Sequence, residues 1–245
     1  MKTYILLAIV TQIVGQFYYC GEPPIKPSIK CTITRDPKVG LIVGGSEAVP
    51  HSWPWTVRLR SLAVFCVAYV EARFGCHNTS TEEIRINSNT FYQHPGYPGN
   101  GKKKRPSIAN DIALIKLPHP VGLSRHIQLV CLPKNDSGVA KEGSEVVIVG
   151  FGKTEMTTPG PSVTGPRVLQ QVKTVVRNWT RCCGFNRFYD KMHGLCVGRH
   201  GEGSCYGDSG GPLLKEVNGK WFQYGVVSTA TTLVCSWGPS TSLLL

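Results

Sequence analysis

The stretch Cys205-Tyr206-Gly207-Asp208-Ser209-Gly210-Gly211-Pro212 decides how the rest of the chain is read. Three glycines crowd around one acid and one hydroxyl. Glycine lets a backbone take positive φ or approach a ligand closely. A turn built this way holds the Ser209 hydroxyl exposed while the N–H groups of Gly207 and Ser209 converge on one spot. Two convergent donors beside a serine are what acyl transfer needs, because they stabilise the oxyanion of a tetrahedral intermediate. The plain alternative is a glycine-rich turn with a chance serine, and only the remaining sequence separates the two readings.

The chain has 245 residues, enough for one large all-β domain or two small ones. Lys and Arg outnumber Asp and Glu by 27 to 15, for a net charge of +12. Such a balance favours anionic partners, but no nucleic-acid-binding motif accompanies it, so nucleic acid is excluded and a solvated basic surface is expected. Lys102, Lys103, Lys104 and Arg105 lie in a Gly/Pro/Asn-flanked stretch that reads as a solvated loop, with an anionic-glycan site as the second reading. Residues 1–15 read as a secretory signal peptide: Lys2, the apolar run Tyr4 to Val10, and Gly15 as the cleavage position. That run is too short to span a membrane, and no second stretch is long enough. Secretion makes the ten cysteines disulfide candidates rather than metal ligands. No metal or cofactor is expected. Asn78, Asn135 and Asn178 stand in glycosylation tripeptides that fit the same extracellular compartment.

Gly207-Asp208-Ser209-Gly210-Gly211-Pro212 resembles the nucleophile loop of the trypsin/chymotrypsin-like serine proteases, and further matches follow in the right order. Ile42-Val43-Gly44-Gly45 resembles the N-terminus these enzymes expose on activation, and Asn110-Asp111-Ile112-Ala113-Leu114 resembles the segment whose aspartate orients the catalytic histidine. The proline-rich stretch Cys20 to Pro27 resembles a chymotrypsinogen-type propeptide, which places residues 16–41 in the propeptide. The resemblance implies an all-β fold of two six-stranded antiparallel barrels over 42–245, the first from 42–132 and the second from 133–245. It implies disulfides Cys20–Cys131, Cys182–Cys196 and Cys205–Cys235, leaving Cys31, Cys66, Cys76 and Cys183 without family partners. It further implies that Ser209 is the nucleophile, Asp111 the orienting acid, and Gly207 and Ser209 the oxyanion donors. Asp208 is the partner of an Ile42 ammonium freed by cleavage. Leu41 precedes Ile42, so a chymotrypsin-like activating protease is expected, or a cut after Lys38 followed by trimming. The pocket base falls on Gly203 and its wall on Ser228 and Ala230, where no carboxylate meets a basic side chain. Protein or peptide substrates cut after apolar residues are therefore expected.

Two departures break the pattern. After Phe65-Cys66 the family has a strand and a segment ending Ala-Ala-His-Cys, which supplies the catalytic base; here Val67 follows directly. The first barrel is expected to be incomplete. Among the seven histidines, His77 is nearest in sequence and is a weak substitute; His51 matches a structural position. After Cys235 the usual Pro-Gly-Val-Tyr strand and terminal helix give way to Ser236-Trp237-Gly238-Pro239-Ser240-Thr241-Ser242 and three leucines. The expectation is a secreted serine endopeptidase by resemblance, inactive as written (a splice form, degenerate copy or faulty gene model). The alternative is a non-catalytic pseudo-protease that binds partners.

Overall fold

The computed structural model describes residues 6–9, 19–29, 42, 44–64, 67–97, 110–133, 141–153, 165–178, 182, 194–199, 201–230 and 240–244. The regular elements among them are thirteen β-strands. The second half forms the closed unit. Strands β8 (Glu145–Gly150), β9 (Gln170–Arg177), β10 (Gly194–Val197), β11 (Pro212–Val217), β12 (Lys220–Ala230) and β13 (Ser240–Leu244) pair in the order β10-β13-β12-β11-β8-β9, and β9 pairs back to β10. That ring is a six-stranded antiparallel barrel, with β2 (Ser46–Glu47) added beyond β9. Closure removes the free edges that an open sheet leaves exposed. The sequence motif for the last strand is absent, yet Ser240–Leu244 occupies its lane between β12 and β10.

Along β8 the side chains alternate between two cores, as the period of a strand requires. Val146 and Ile148 join Ile42, Val172, Val197, Leu213 and Tyr224 in one cluster. Val147 and Val149 join Trp53, Leu169, Leu214 and Trp221 in another. Both faces of β8 are thus buried, which is why it reads as an unbroken apolar run. Trp53 stands edge-on to Trp221 with ring centroids 4.6 Å apart, and its Nε1 donates to Gln171 Oε1 at 2.8 Å.

The first half contains two three-stranded sheets. One is β3 (Arg58–Val64), β4 (Val67–Phe74) and β5 (Ile84–Ser88), all antiparallel, with β3 and β4 joined directly where the family's histidine-bearing segment is absent. The other is β1 (Leu6–Ile9), β7 (Ala113–Lys116) and β6 (Thr90–Gln93), with β1 parallel to β7. They share a core of Ala72, Phe74, Ile86, Ile115, Leu117 and Ile127. No ring of paired strands links these two sheets among the described residues.

The proline-rich arm packs as part of the molecule. Cys20 is bonded to Cys131. Gly21 donates to Leu129 O at 2.9 Å and accepts from Trp221 N–H at 2.8 Å. Its φ is +73°, and a side chain there would overlap the Trp221 carbonyl. Cys182 is bonded to Cys196, and Cys205 is disulfide-bonded; Cys235, its expected partner, lies outside the described residues. Cys31, Cys66, Cys183 and the basic stretch Lys102 to Arg105 also lie outside them. No helix among the described residues is long and apolar enough to cross a membrane.

Candidate active site

Strand β12 joins the two halves of the site. Val227 O accepts from Gly210 N–H at 2.8 Å, and Val227 N–H donates to Gly211 O at 2.9 Å, which fixes the 207–211 loop against the strand. The next residue, Ser228, donates from Oγ to Asp111 Oδ2 at 3.0 Å. The strand's pairing with β13 slips between Val227 and Thr229. Such an irregularity re-aims a side chain, and Ser228 sits inside it. Ser209 and Asp111 are thus tied to neighbouring residues of one strand, although 98 positions separate them in the chain.

The loop's backbone follows its glycines. Gly207 has φ +100° and Gly210 φ +87°, values that side-chain-bearing residues rarely adopt. Asp208 N–H donates to Cys205 O at 3.0 Å and Gly211 N–H to Asp208 O at 2.8 Å. With Gly210 bonded to Val227, three of the five loop amides are used. The N–H groups of Gly207 and Ser209 have no acceptor among the described residues. Both residues are exposed.

Asp208 points the other way and is buried, 2% exposed. Its Oδ1 accepts from Gly152 N–H at 2.8 Å and its Oδ2 from Cys205 N–H at 2.9 Å. Burial pushes its pKa up from 3.8 to about 6, and the two amides pull it back only in part. Gly150 and Gly152 make room for this carboxyl, since a methyl on either would overlap it. The sequence reading missed both glycines; their signal was the Gly150-Phe151-Gly152 spacing at the end of β8. Ile42 lies fully buried in the same barrel's core.

Asp111 follows Asn110, which has φ +57°, a left-handed conformation that asparagine tolerates. The Asn110 side chain donates to Gly96 O at 3.2 Å, anchoring this turn before β7. Burial pushes the Asp111 pKa up to about 6, opposed by hydrogen bonds from Ser228 and Tyr97. Tyr97 was also missed by the sequence reading, and nothing in its local sequence marks it. Gly203 is buried, and beyond its chain neighbours no atom of the described residues lies within 4 Å of where its side chain would begin. Ala230 is in β12, paired with Ser240.

No histidine bonds to Asp111 or Ser209 among the described residues. His77, the weak candidate from sequence, instead pairs its Nε2 with Glu47 Oε1 at 2.9 Å. His51 stacks on His126 at 3.8 Å between ring centroids, and His126 bonds Glu83. His94 Nδ1 accepts from Gly96 N–H at 3.1 Å, and His119 Nδ1 lies 3.5 Å from Pro120 O. His193 and His200 lie outside the described residues. No group of three or more His, Cys, Asp or Glu among the described residues is arranged to hold a metal.

The sequence profile of the family described as Trypsin matches residues 63–240. This chain belongs to the trypsin family. It is 30% identical to Chymotrypsin-C of Mus musculus over 89% of this chain and 85% of that protein. To Chymotrypsin-C of Rattus norvegicus it is 29% identical over the same shares. The trypsin family comprises serine endopeptidases, and the all-β architecture described above, with its closed antiparallel barrel and further sheets, is consistent with the double barrel of its chymotrypsin-like members.

Proposed function

We propose that this trypsin-family chain is a secreted protein that keeps the nucleophile, oxyanion donors and peptide-binding cleft of a serine endopeptidase and lacks the base. Ser209 is the nucleophile, Asp111 the orienting acid, and Gly207 and Ser209 donate to the oxyanion. One observation carries the reading: in the exposed loop that presents Ser209, the N–H groups of Gly207 and Ser209 have no acceptor among the described residues. Buried backbone amides are almost always paired, and exposed ones left free in a loop that carries a hydroxyl suit a developing negative charge. Glycine at 203, with no atom of the described residues beyond its chain neighbours within 4 Å of its side-chain position, supports a pocket base without a carboxylate, hence preference for apolar over basic side chains. Removing the histidine of a serine protease costs about 10⁶ in kcat, leaving roughly 10³–10⁴ over water. Hydrolysis then falls below detection in an ordinary assay.

Activation is part of the same proposal. A cut before Ile42 by a chymotrypsin-like protease frees an ammonium that pairs with Asp208, while Cys20–Cys131 keeps the arm attached. The run Tyr4 to Val10 serves as export signal, and the Lys102 to Arg105 stretch is the place to look for glycan binding.

The test is a fluorophosphonate probe together with peptide boronates carrying Phe or Arg. The expected result is slow labelling at Ser209, lost in Ser209→Ala, with the Phe boronate bound in preference. Labelling at the rate of an intact chymotrypsin would show that a base is present and overturn the inactive assignment. Absence of both labelling and boronate binding favours the pseudo-protease reading, which the absence of a histidine bonded to Asp111 among the described residues already supports.

A further inference from the structure

Three histidines meet where the two halves of the chain join. Residues 77–79 run against residues 167–169: Leu169 N–H donates to His77 O at 2.8 Å and Thr79 N–H to Arg167 O at 2.7 Å, around the bridge between Asn78 and Val168. The segment 48–54 is tied to both sides of this seam. Ala48 N–H donates to Leu169 O at 2.9 Å, and Pro54 O accepts from Gln128 N–H at 3.0 Å. His51 sits midway along that segment at φ +59°, a left-handed conformation that histidine adopts more readily than most residues. Its ring stacks on that of His126, with 3.8 Å between centroids and 20° between planes, and the His77 ring lies at 6.1 Å. The outer two rings engage the carboxylates. Glu83 bonds His126 and accepts from Ser124 Oγ at 3.0 Å, and Glu47 bonds His77 Nε2 at 2.9 Å. The Nδ1 of His51 is buried without a hydrogen-bond partner among the described residues.

We propose that this stack is an acid-sensitive latch: with His51 neutral it holds the seam between the two halves closed, and a proton on His51 releases it. The groups facing His51 are the His126 and His77 rings, the Glu83 carboxylate and the Gly75 carbonyl. A proton placed on the buried Nδ1 finds no acceptor, and any charge on the two neighbouring imidazoles repels it. Glu83 and the Gly75 carbonyl favour the charged ring but are outweighed: burial first, then His126 and His77, hold the His51 pKa below the ordinary 6.5. Neutral His51 therefore contributes stability that is fully present above pH 6.5 and is lost as pH falls through the lower folded value. Asp111 and Asp208, with pKa values raised to about 6, work in the opposite sense, so only a local reading isolates the latch. The turn that His51 occupies joins the two halves through Ala48 and Pro54, which places the release at the seam and not inside either core.

The test is hydrogen exchange on the full chain at pH 7.5 and 5.0, corrected for the intrinsic pH dependence of exchange. Neither Ser209 nor any substrate enters it, so it stands apart from the endopeptidase reading. One histidine with an ordinary pKa in the open state can raise the open fraction at most about thirtyfold over that interval. The seam amides of Ala48, Thr79, Gln128 and Leu169 should lose protection about threefold or more at pH 5.0, while β8 and β4, each paired on both sides, stay protected. Equal seam protection at both pH values overturns the proposal, and so does a loss shared by β8 and β4, which is general unfolding. His51→Asn keeps a residue suited to the left-handed turn and removes the titration. Seam protection in that variant, whatever its level, should be the same at both pH values; a loss in acid that persists there belongs to another group and overturns the latch. If the variant does not fold, the unaltered chain decides by NMR: the His51 ring should titrate below 6.5 with the same midpoint as the seam amides, and separate midpoints refute the latch.

Discussion

The buried Asp208 carboxyl makes the folding stability of the uncut chain fall as pH rises through the acid range. Its pKa stands at about 6 in the folded chain against an ordinary 3.8. Between those values the folded chain holds a proton that the unfolded chain has released. The contribution is fully present below pH 3.8 and is lost as pH rises through 6. A shift of roughly two units corresponds to about 3 kcal/mol, or roughly a hundredfold in the folding equilibrium. Asp208→Asn removes the titration. Its one carbonyl can accept from Gly152 or from Cys205, but not both, and its amide then faces the other N–H donor to donor. That mismatch costs about 1–3 kcal/mol at every pH. Urea denaturation from pH 4 to 8, taken as the difference between native chain and variant, isolates this group because other titrations cancel. The native chain should hold its advantage at pH 4 and lose most of it by pH 7. A difference that stays flat across the range refutes the reasoning. Cleavage before Ile42 sharpens the test: an ammonium beside Asp208 favours the charged carboxyl, so the acid-range decline should disappear in the cut form. If the decline survives cleavage, Ile42 is not the partner of Asp208.

Two further outcomes follow from the geometry. Ser228→Ala leaves Asp111 with Tyr97 as its remaining hydrogen-bond donor; the loss should be about 1.5–3 kcal/mol at pH 8, where the carboxyl is charged, and smaller at pH 5, as read by the same denaturation series. An equal loss at both pH values would mean that the serine is not supporting a charge. Cys76 is a buried free thiol whose pKa is pushed up to about 11 by burial, with Glu82 adding to the effect. It should resist iodoacetamide at pH 8 in the folded chain and react on unfolding in urea, whereas prompt alkylation of folded protein would place that side chain at the surface.

The readable parts of the sequence were those whose physics is local. Glycines at 207 and 210 announced a backbone that only they adopt easily, and the acid and serine between them announced what that backbone presents. The apolar run from Val146 to Phe151 reads as a strand, and the structure gives β8 buried on both faces over Val146 to Gly150. What escaped reading depends on vacancies elsewhere in the fold. Ser240–Leu244 has no alternation to mark a strand; it becomes one because β12 and β10 leave a lane open. Leu6–Ile9 reads as a leader by its position, and only the unpaired side of β7 makes it a strand. The stacked pair His51 and His126, with His77 at 6.1 Å from His51, is likewise invisible along the chain. There burial lowers the His51 pKa, and the two neighbouring imidazoles lower it further against Glu83 and the Gly75 carbonyl.

The partition of these parts explains how a chain can keep the Ser209 loop without a histidine bonded to Asp111 among the described residues. The loop bearing Ser209 belongs to the closed second barrel, and its buried side is structural: Asp208 satisfies two amides, and a Cβ added at Gly211 would come 2.9 Å from the Asp208 carbonyl oxygen and 3.1 Å from that of Val149. Changing those residues would damage the barrel whether or not the site cuts peptides. Asp111 belongs to the other half, where β3 turns directly into β4 and the segment that carries the base in the family's pattern is missing. That omission falls in the β3-β4-β5 sheet and leaves the second barrel's hydrogen bonds untouched. The loop that presents Ser209 is therefore kept by the needs of its buried face, and its exposed face, where the Gly207 and Ser209 amides have no acceptor among the described residues, comes with it.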